Sequence, residues 1–100
     1  MERDLVGEAK GFGKAMDGMK ISAESRSAIP GYYYGKLTTN WKSVTCKTSA
    51  DDYGVCFYNK DNPKKVPVAI TFEDLDDIIY GDGNAIFKMS YGEDIKIKVG

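Results

Sequence analysis

The segment Ala85-Ile86-Phe87-Lys88-Met89-Ser90-Tyr91-Gly92-Glu93-Asp94-Ile95-Lys96-Ile97-Lys98-Val99 sets the architecture. Ala85, Phe87 and Met89 alternate with Ile86, Lys88 and Ser90. Ile95, Ile97 and Val99 alternate with Lys96 and Lys98. A period of two is the signature of a strand with one buried face. Tyr91 to Asp94 connect the two runs, so the segment reads as an antiparallel hairpin. Pairing centred on Gly92 sets Met89 against Ile95 and Phe87 against Ile97, with the lysines toward water. A lone hairpin is marginal in water and needs further strands or a helix against its apolar face.

The residues just upstream predict a helix. Thr71-Phe72-Glu73-Asp74-Leu75-Asp76-Asp77-Ile78-Ile79-Tyr80-Gly81 starts with an N-cap residue and a capping-box partner at Asp74. Its early acids suit the positive end of a helix. Phe72, Leu75, Ile78 and Ile79 supply a buried stripe, and Gly81 a C-cap. Before it, Val66-Pro67-Val68-Ala69-Ile70 reads as a short strand. Pro67 has no amide hydrogen, so that strand lies at an edge or begins after the proline.

Further out, Trp41 to Lys47 and Tyr53 to Tyr58 read as a second hairpin around a Ser49–Asp52 turn. Pairing centred on residue 51 sets Cys46 opposite Cys56. One face then holds Val44, Cys46, Cys56 and Tyr58; the other holds Trp41, Tyr53, Val55 and Phe57. Tyr32 to Leu37 favour a strand through their aromatics, with Thr38-Thr39-Asn40 as a turn. Residues 20–31, rich in serine and closed by Pro30-Gly31, read as a connection. Leu5, Ala9, Phe12, Met16 and Met19 form an apolar stripe at helical spacing, with Asp4 as the cap. Gly7, Gly11, Gly13 and Gly18 weaken this helix, each by up to about 1 kcal/mol. It is expected to fold only when docked, on its own domain or on a partner.

Together these elements predict an α+β fold: a small, mainly antiparallel sheet or partly open barrel, one short capped helix and an amphipathic N-terminal helix. The 100 residues suit a single domain. Residues 1–28 form its weak helix and connection, and 29–100 its β-rich core.

Composition excludes several chemistries. There is no histidine, which removes His-based triads and His-ligated metals. With two cysteines, one chain cannot build a four-cysteine zinc site or iron–sulfur cluster. No apolar run is long enough for a transmembrane helix. The N-terminus lacks a secretory apolar core, so a cytoplasmic location is expected, with free thiols at Cys46 and Cys56. No cofactor and no metal is implied. The D-x-[DN]-x-[DN]-G calcium loop is absent, and Gly11-Phe12-Gly13-Lys14 is not a phosphate loop. The expectation is a protein that binds and does not catalyse.

Charge is uneven along the chain. The net charge is -1 overall. Residues 29–70 carry net +3 and residues 71–100 net -4, which a fold can turn into a basic and an acidic face. Seven tyrosines are the other unusual feature. Tyrosine combines a large contact area with a polar end and is enriched at interfaces. The candidate protein-binding residues are therefore Tyr32, Tyr33, Tyr34, Glu73, Asp76, Asp77, Tyr80 and Asp82. They suit an inhibitor or accessory factor with a protein partner. Two alternatives stand beside it. In one, a small barrel binds single-stranded nucleic acid, with Tyr33, Trp41, Tyr53 and Tyr58 stacking bases and Lys36, Lys42, Lys47, Lys60, Lys64 and Lys65 on phosphates. In the other, tyrosines at a subunit interface hold a small molecule.

Overall fold

A computed structural model describes residues 3–27 and 37–100. The chain is one helix followed by an open antiparallel sheet of seven strands. Helix α1 is Leu5–Met16, and the strands are β1 Lys20–Ser27, β2 Leu37–Ala50, β3 Gly54–Asn59, β4 Val68–Thr71, β5 Leu75–Gly81, β6 Asn84–Met89 and β7 Glu93–Val99. A 3₁₀ turn, Phe72–Asp74, joins β4 to β5. The sheet order is β4-β3-β2-β1-β7-β6-β5, so β4 and β5 are its two edges.

The expected helical stripe is present and docks in cis. Asp4 caps α1 by accepting the Gly7 N–H at 2.9 Å. Ala9 and Met16 are buried, and Leu5 and Phe12 pack against the core. Met19 lies beyond the helix end and is exposed. The Phe12 ring meets Phe57 of β3 edge-on at 6.2 Å and Phe87 of β6 at 5.4 Å. On a flat sheet, four strand spacings of about 4.8 Å would hold β3 and β6 about 19 Å apart. One ring reaches both, so the sheet must curl around α1.

A bulge in β2 provides part of that curl. Ile21 faces Val44 and Ala23 faces Trp41, so β2 carries one extra residue there. Ser43 takes a φ of 48°, and its N–H donates to Ser22 Oγ at 3.0 Å. Bulges bend and twist a strand. Beyond the bulge β2 changes partner: residues up to Thr45 pair with β1, and Cys46 to Ala50 pair with β3.

Five expectations are corrected. Residues 20–27 are not a connection but β1, the middle strand of the sheet. Ile21, Ala23 and Ser25 point inward and are buried, so serine here fills a core position that needs a small side chain. Thr39 and Asn40 are likewise strand, paired with Ser25 and Glu24. The second hairpin has a different register: Cys46 faces Asn59 and Ser49 faces Cys56. The odd shift moves Cys46, Val55 and Phe57 to the helix side and Cys56 and Tyr58 to the outer side. The cysteines lie on opposite faces and are free thiols. The final hairpin keeps its predicted buried face, but Phe87 faces Ile95 and Ala85 faces Ile97.

The predicted helix over 71–81 is the fifth correction. Thr71 Oγ1 does donate to Asp74, at 2.9 Å, yet only one 3₁₀ turn forms before β5 begins. Leu75 and Ile78 are both buried because a bulge between Leu75 and Asp77 inserts one residue. The bulge gives a strand a three-residue spacing that imitates a helix. The edge placement of Val68–Thr71, beginning just after Pro67, agrees with the sequence reading.

Gly13 is required for the docking of α1. A Cβ there would stand 2.6 Å from Val55 Cγ1. Gly13→Ala is therefore expected to lower stability by about 1–3 kcal/mol through overpacking, despite a helix-propensity gain of about 1 kcal/mol. Val55→Ala makes room for the added methyl. Chemical denaturation of both single variants and the double variant tests this, with the double variant losing clearly less than the two singles combined.

Candidate functional site

The acidic segment occupies the edge strand β5 and its flanks. It is not a helix face. Glu73, Asp76 and Asp82 are exposed. Ile79 and Tyr80 are 47% and 53% exposed. Ile78 points into the core, so Ile79 points to the outer side of the sheet. Tyr80 sits at the helix side of the edge, where its OH donates to Glu8 of α1 at 2.8 Å. Tyr32, Tyr33 and Tyr34 lie outside the described residues.

Arg3 organises the first half of this edge. It donates to both Glu8 oxygens, at 2.9 Å and 3.2 Å, and to Asp77 Oδ1 at 2.6 Å. It also donates to the main-chain carbonyl of Ile78 at 3.0 Å. Asp77 Oδ1 in turn accepts the Ile78 N–H at 2.8 Å. Ile78 pairs with Phe87 on its other side. Side chains thus hold both main-chain groups that Ile78 turns to the open edge. This is how a sheet edge is shielded from unwanted strands. The next outward position in the alternation is Tyr80, and among the described residues no strand lies beside it.

The electrostatics follow from these contacts. The Arg3 guanidinium, and then the Tyr80 hydroxyl, hold the Glu8 carboxyl below its usual 4.5. Desolvation, then the hydrogen bond to Glu8, pushes the Tyr80 phenol up. Arg3 is held charged more firmly than usual, chiefly by its hydrogen bond to Glu8. The group is half open to water, so its net contribution is small.

Of the predicted residues, Asp77 and Tyr80 are joined through Arg3 and Glu8, while Glu73, Asp76 and Asp82 remain free surface charges around them. Sequence reasoning missed Arg3 and Glu8. Arg3 lies 74 positions from Asp77, and no local pattern links them. Among the described residues, no group of three or more carboxylates or cysteines is arranged to hold a metal ion. No helix among them is long and apolar enough to cross a membrane.

The basic residues gather elsewhere. Lys47, Lys60 and Lys65 surround Tyr58 on the outer face of β2 and β3. Trp41, one of the expected base-stacking rings, is buried at 4% exposure beside Ala23 and is unavailable for stacking. Comparison of the chain with protein-family models, curated proteins and solved structures finds no match.

Two outcomes test this description. The gap in melting temperature between wild type and Glu8→Gln is expected to be widest at neutral pH. A depressed carboxylate stabilises above its unfolded value and stops doing so as pH falls through its folded value. The two curves should therefore converge below about pH 4.5; a gap constant with pH contradicts the linkage. For the thiols, burial pushes Cys46 up to about 11, so a disulfide reagent at neutral pH should label Cys56 first. Cys46 should react only after unfolding, as measured by absorbance of the released thiolate.

Proposed function

We propose that this chain is a protein-binding module, an inhibitor or accessory factor that acts by docking and not by catalysis. Its docking element is the far half of β5 with its flanks. The carrying observation is an edge strand that exposes Ile79 on its outer side and Tyr80 on its helix side, with the exposed carboxylates Glu73, Asp76 and Asp82 along the same segment. A strand edge with exposed apolar and aromatic side chains on its two sides, flanked by charge, has the composition of a recognition element. Among the described residues nothing binds the main-chain groups that Tyr80 turns to the open edge, which suits a partner that adds a strand. The flanking carboxylates select a partner of basic character and speed encounter. The Arg3–Asp77 contact blocks pairing at Ile78, which confines the added strand to the Tyr80 end. The free thiols fit a reducing compartment, and we place the activity in the cytoplasm.

The test is a pull-down from host lysate with nuclease present, followed by kinetics on the captured protein. Asp76→Lys combined with Asp82→Lys is expected to slow association about tenfold, with little change in melting temperature. Ile79→Ala is expected to speed dissociation. Kinetics unchanged in both variants remove β5 from the interaction.

A further inference from the structure

The cavity around Tyr58 lies at the opposite end of the sheet from β5. It has a volume of about 530 Å³. Lys47 of β2 faces Tyr58 of β3 across the outer side of the sheet. Lys60 and Lys65, both on the loop between β3 and β4, line the cavity as well. None of the three lysines has an ion-pair partner among the described residues, and no carboxylate lines the cavity.

The loop that carries two of these lysines is tied down. Asn59 is buried, and its Oδ1 accepts the Asn62 N–H at 2.9 Å. The Asn62 side chain accepts the Lys64 N–H at 3.3 Å, and the Asn62 carbonyl accepts the Lys65 N–H at 3.0 Å. The Lys60 N–H donates to the Thr45 carbonyl at 2.9 Å. Asp61, the nearest acid in sequence, accepts the Thr45 N–H at 3.0 Å. The main chain is therefore set before any ligand arrives.

The cavity also continues along β3. A second hollow of about 160 Å³ shares Ser49 and Tyr58 with it and runs past Cys56 to Tyr53. Asp51 also lines this second hollow, with its Oδ1 accepting the Tyr53 and Gly54 N–H groups at 2.8 Å and 3.0 Å, so the phosphates belong at the lysine end. Tyr58 and Tyr53 are 41% and 80% exposed. Tyr53 precedes β3 in the turn, and the hollow joins its open ring to that of Tyr58. Two open rings on one continuous hollow, with cations around one of them, match what a flexible chain of stacked bases and phosphates requires.

We infer that the outer face of β2 and β3 binds a short segment of single-stranded nucleic acid, with a base on Tyr58 and phosphates on Lys47, Lys60 and Lys65. This goes beyond protein docking at β5 and uses none of its residues. The small number of cations and the net charge of -1 make the binding weak and salt-sensitive. Three phosphate contacts on a single strand give a slope of log affinity against log salt of about -2.

The experiment is fluorescence anisotropy of a labelled short oligothymidylate with the full chain, titrated at several salt concentrations. Saturable binding at low salt, falling about a hundredfold per tenfold rise in salt, is expected. Tyr58→Ala should weaken it about tenfold, and Tyr58→Phe should retain it. Lys47→Gln, Lys60→Gln and Lys65→Gln together should flatten the salt slope. All these positions are on the surface, and circular dichroism melting confirms that each variant is folded. Absence of saturable binding at low salt overturns the inference. So does wild-type binding by the tyrosine and lysine variants, or equal binding of duplex, which hides its base faces. Thymidine monophosphate competing as well as the oligomer, at equal nucleotide concentration, overturns the strand reading too.

Discussion

Phe12 stands edge-on to rings from β3 and β6, strands that three others separate. Much else follows from that contact. The sheet must curl for both rings to reach the helix, and the curl buries Phe57 and Phe87 completely. Curling in turn requires the bulge at Ser43 and a β2 long enough to serve two partners in succession. It also requires the backbone of α1 to lie close to Val55, which only a glycine at position 13 permits. A helix with this much glycine is unstable in isolation. Its stripe is nonetheless fixed here, because edge-to-face rings and buried Ala9 and Met16 supply what propensity does not.

A curled sheet that does not close keeps two edges. β4 is a short edge, and Pro67 before it cannot donate to another strand. The other, β5, is longer and is shielded at Ile78 by Arg3 and Asp77. Shielding stops short of Tyr80, whose ring is anchored to Glu8 while half exposed. The proposed docking edge is the part of β5 that no described side chain shields. The contact that positions it joins the helix N-terminus to β5, so helix docking and edge geometry are coupled.

The same topology separates charge. The acidic residues of 73–82 surround one edge strand, whereas Lys47, Lys60 and Lys65 lie toward the other. A net charge of -1 therefore conceals two local fields of opposite sign. Each is paired with exposed aromatic surface: Tyr80 on the acidic side, and Tyr58 and Tyr53 on the basic side. The two surfaces proposed for binding thus differ in charge and lie at opposite ends of the sheet.

The sequence by itself determined whatever depends on near neighbours. The cap at Asp4, the stripe of α1, the inward face of β6 and β7, and the edge position after Pro67 all follow from spacing and from local bonding capacity. It also determined the uneven charge. What needed the tertiary structure were pairings between distant segments. Leu75 and Ile78 have helical spacing, and Thr71 and Asp74 do bond, but pairing with β6 turns the segment into a bulged strand. Lys20–Ser27 is polar enough to read as loop, yet neighbours on both sides satisfy its main chain and make it the centre of the sheet. Register in the hairpins depends on which side chains meet the helix, so an odd slip reversed the faces of Cys46 and Cys56. The Arg3 network joins residues more than 70 positions apart. Only the fold brings them together, because hydrogen-bond partners are chosen by distance in space and not along the chain.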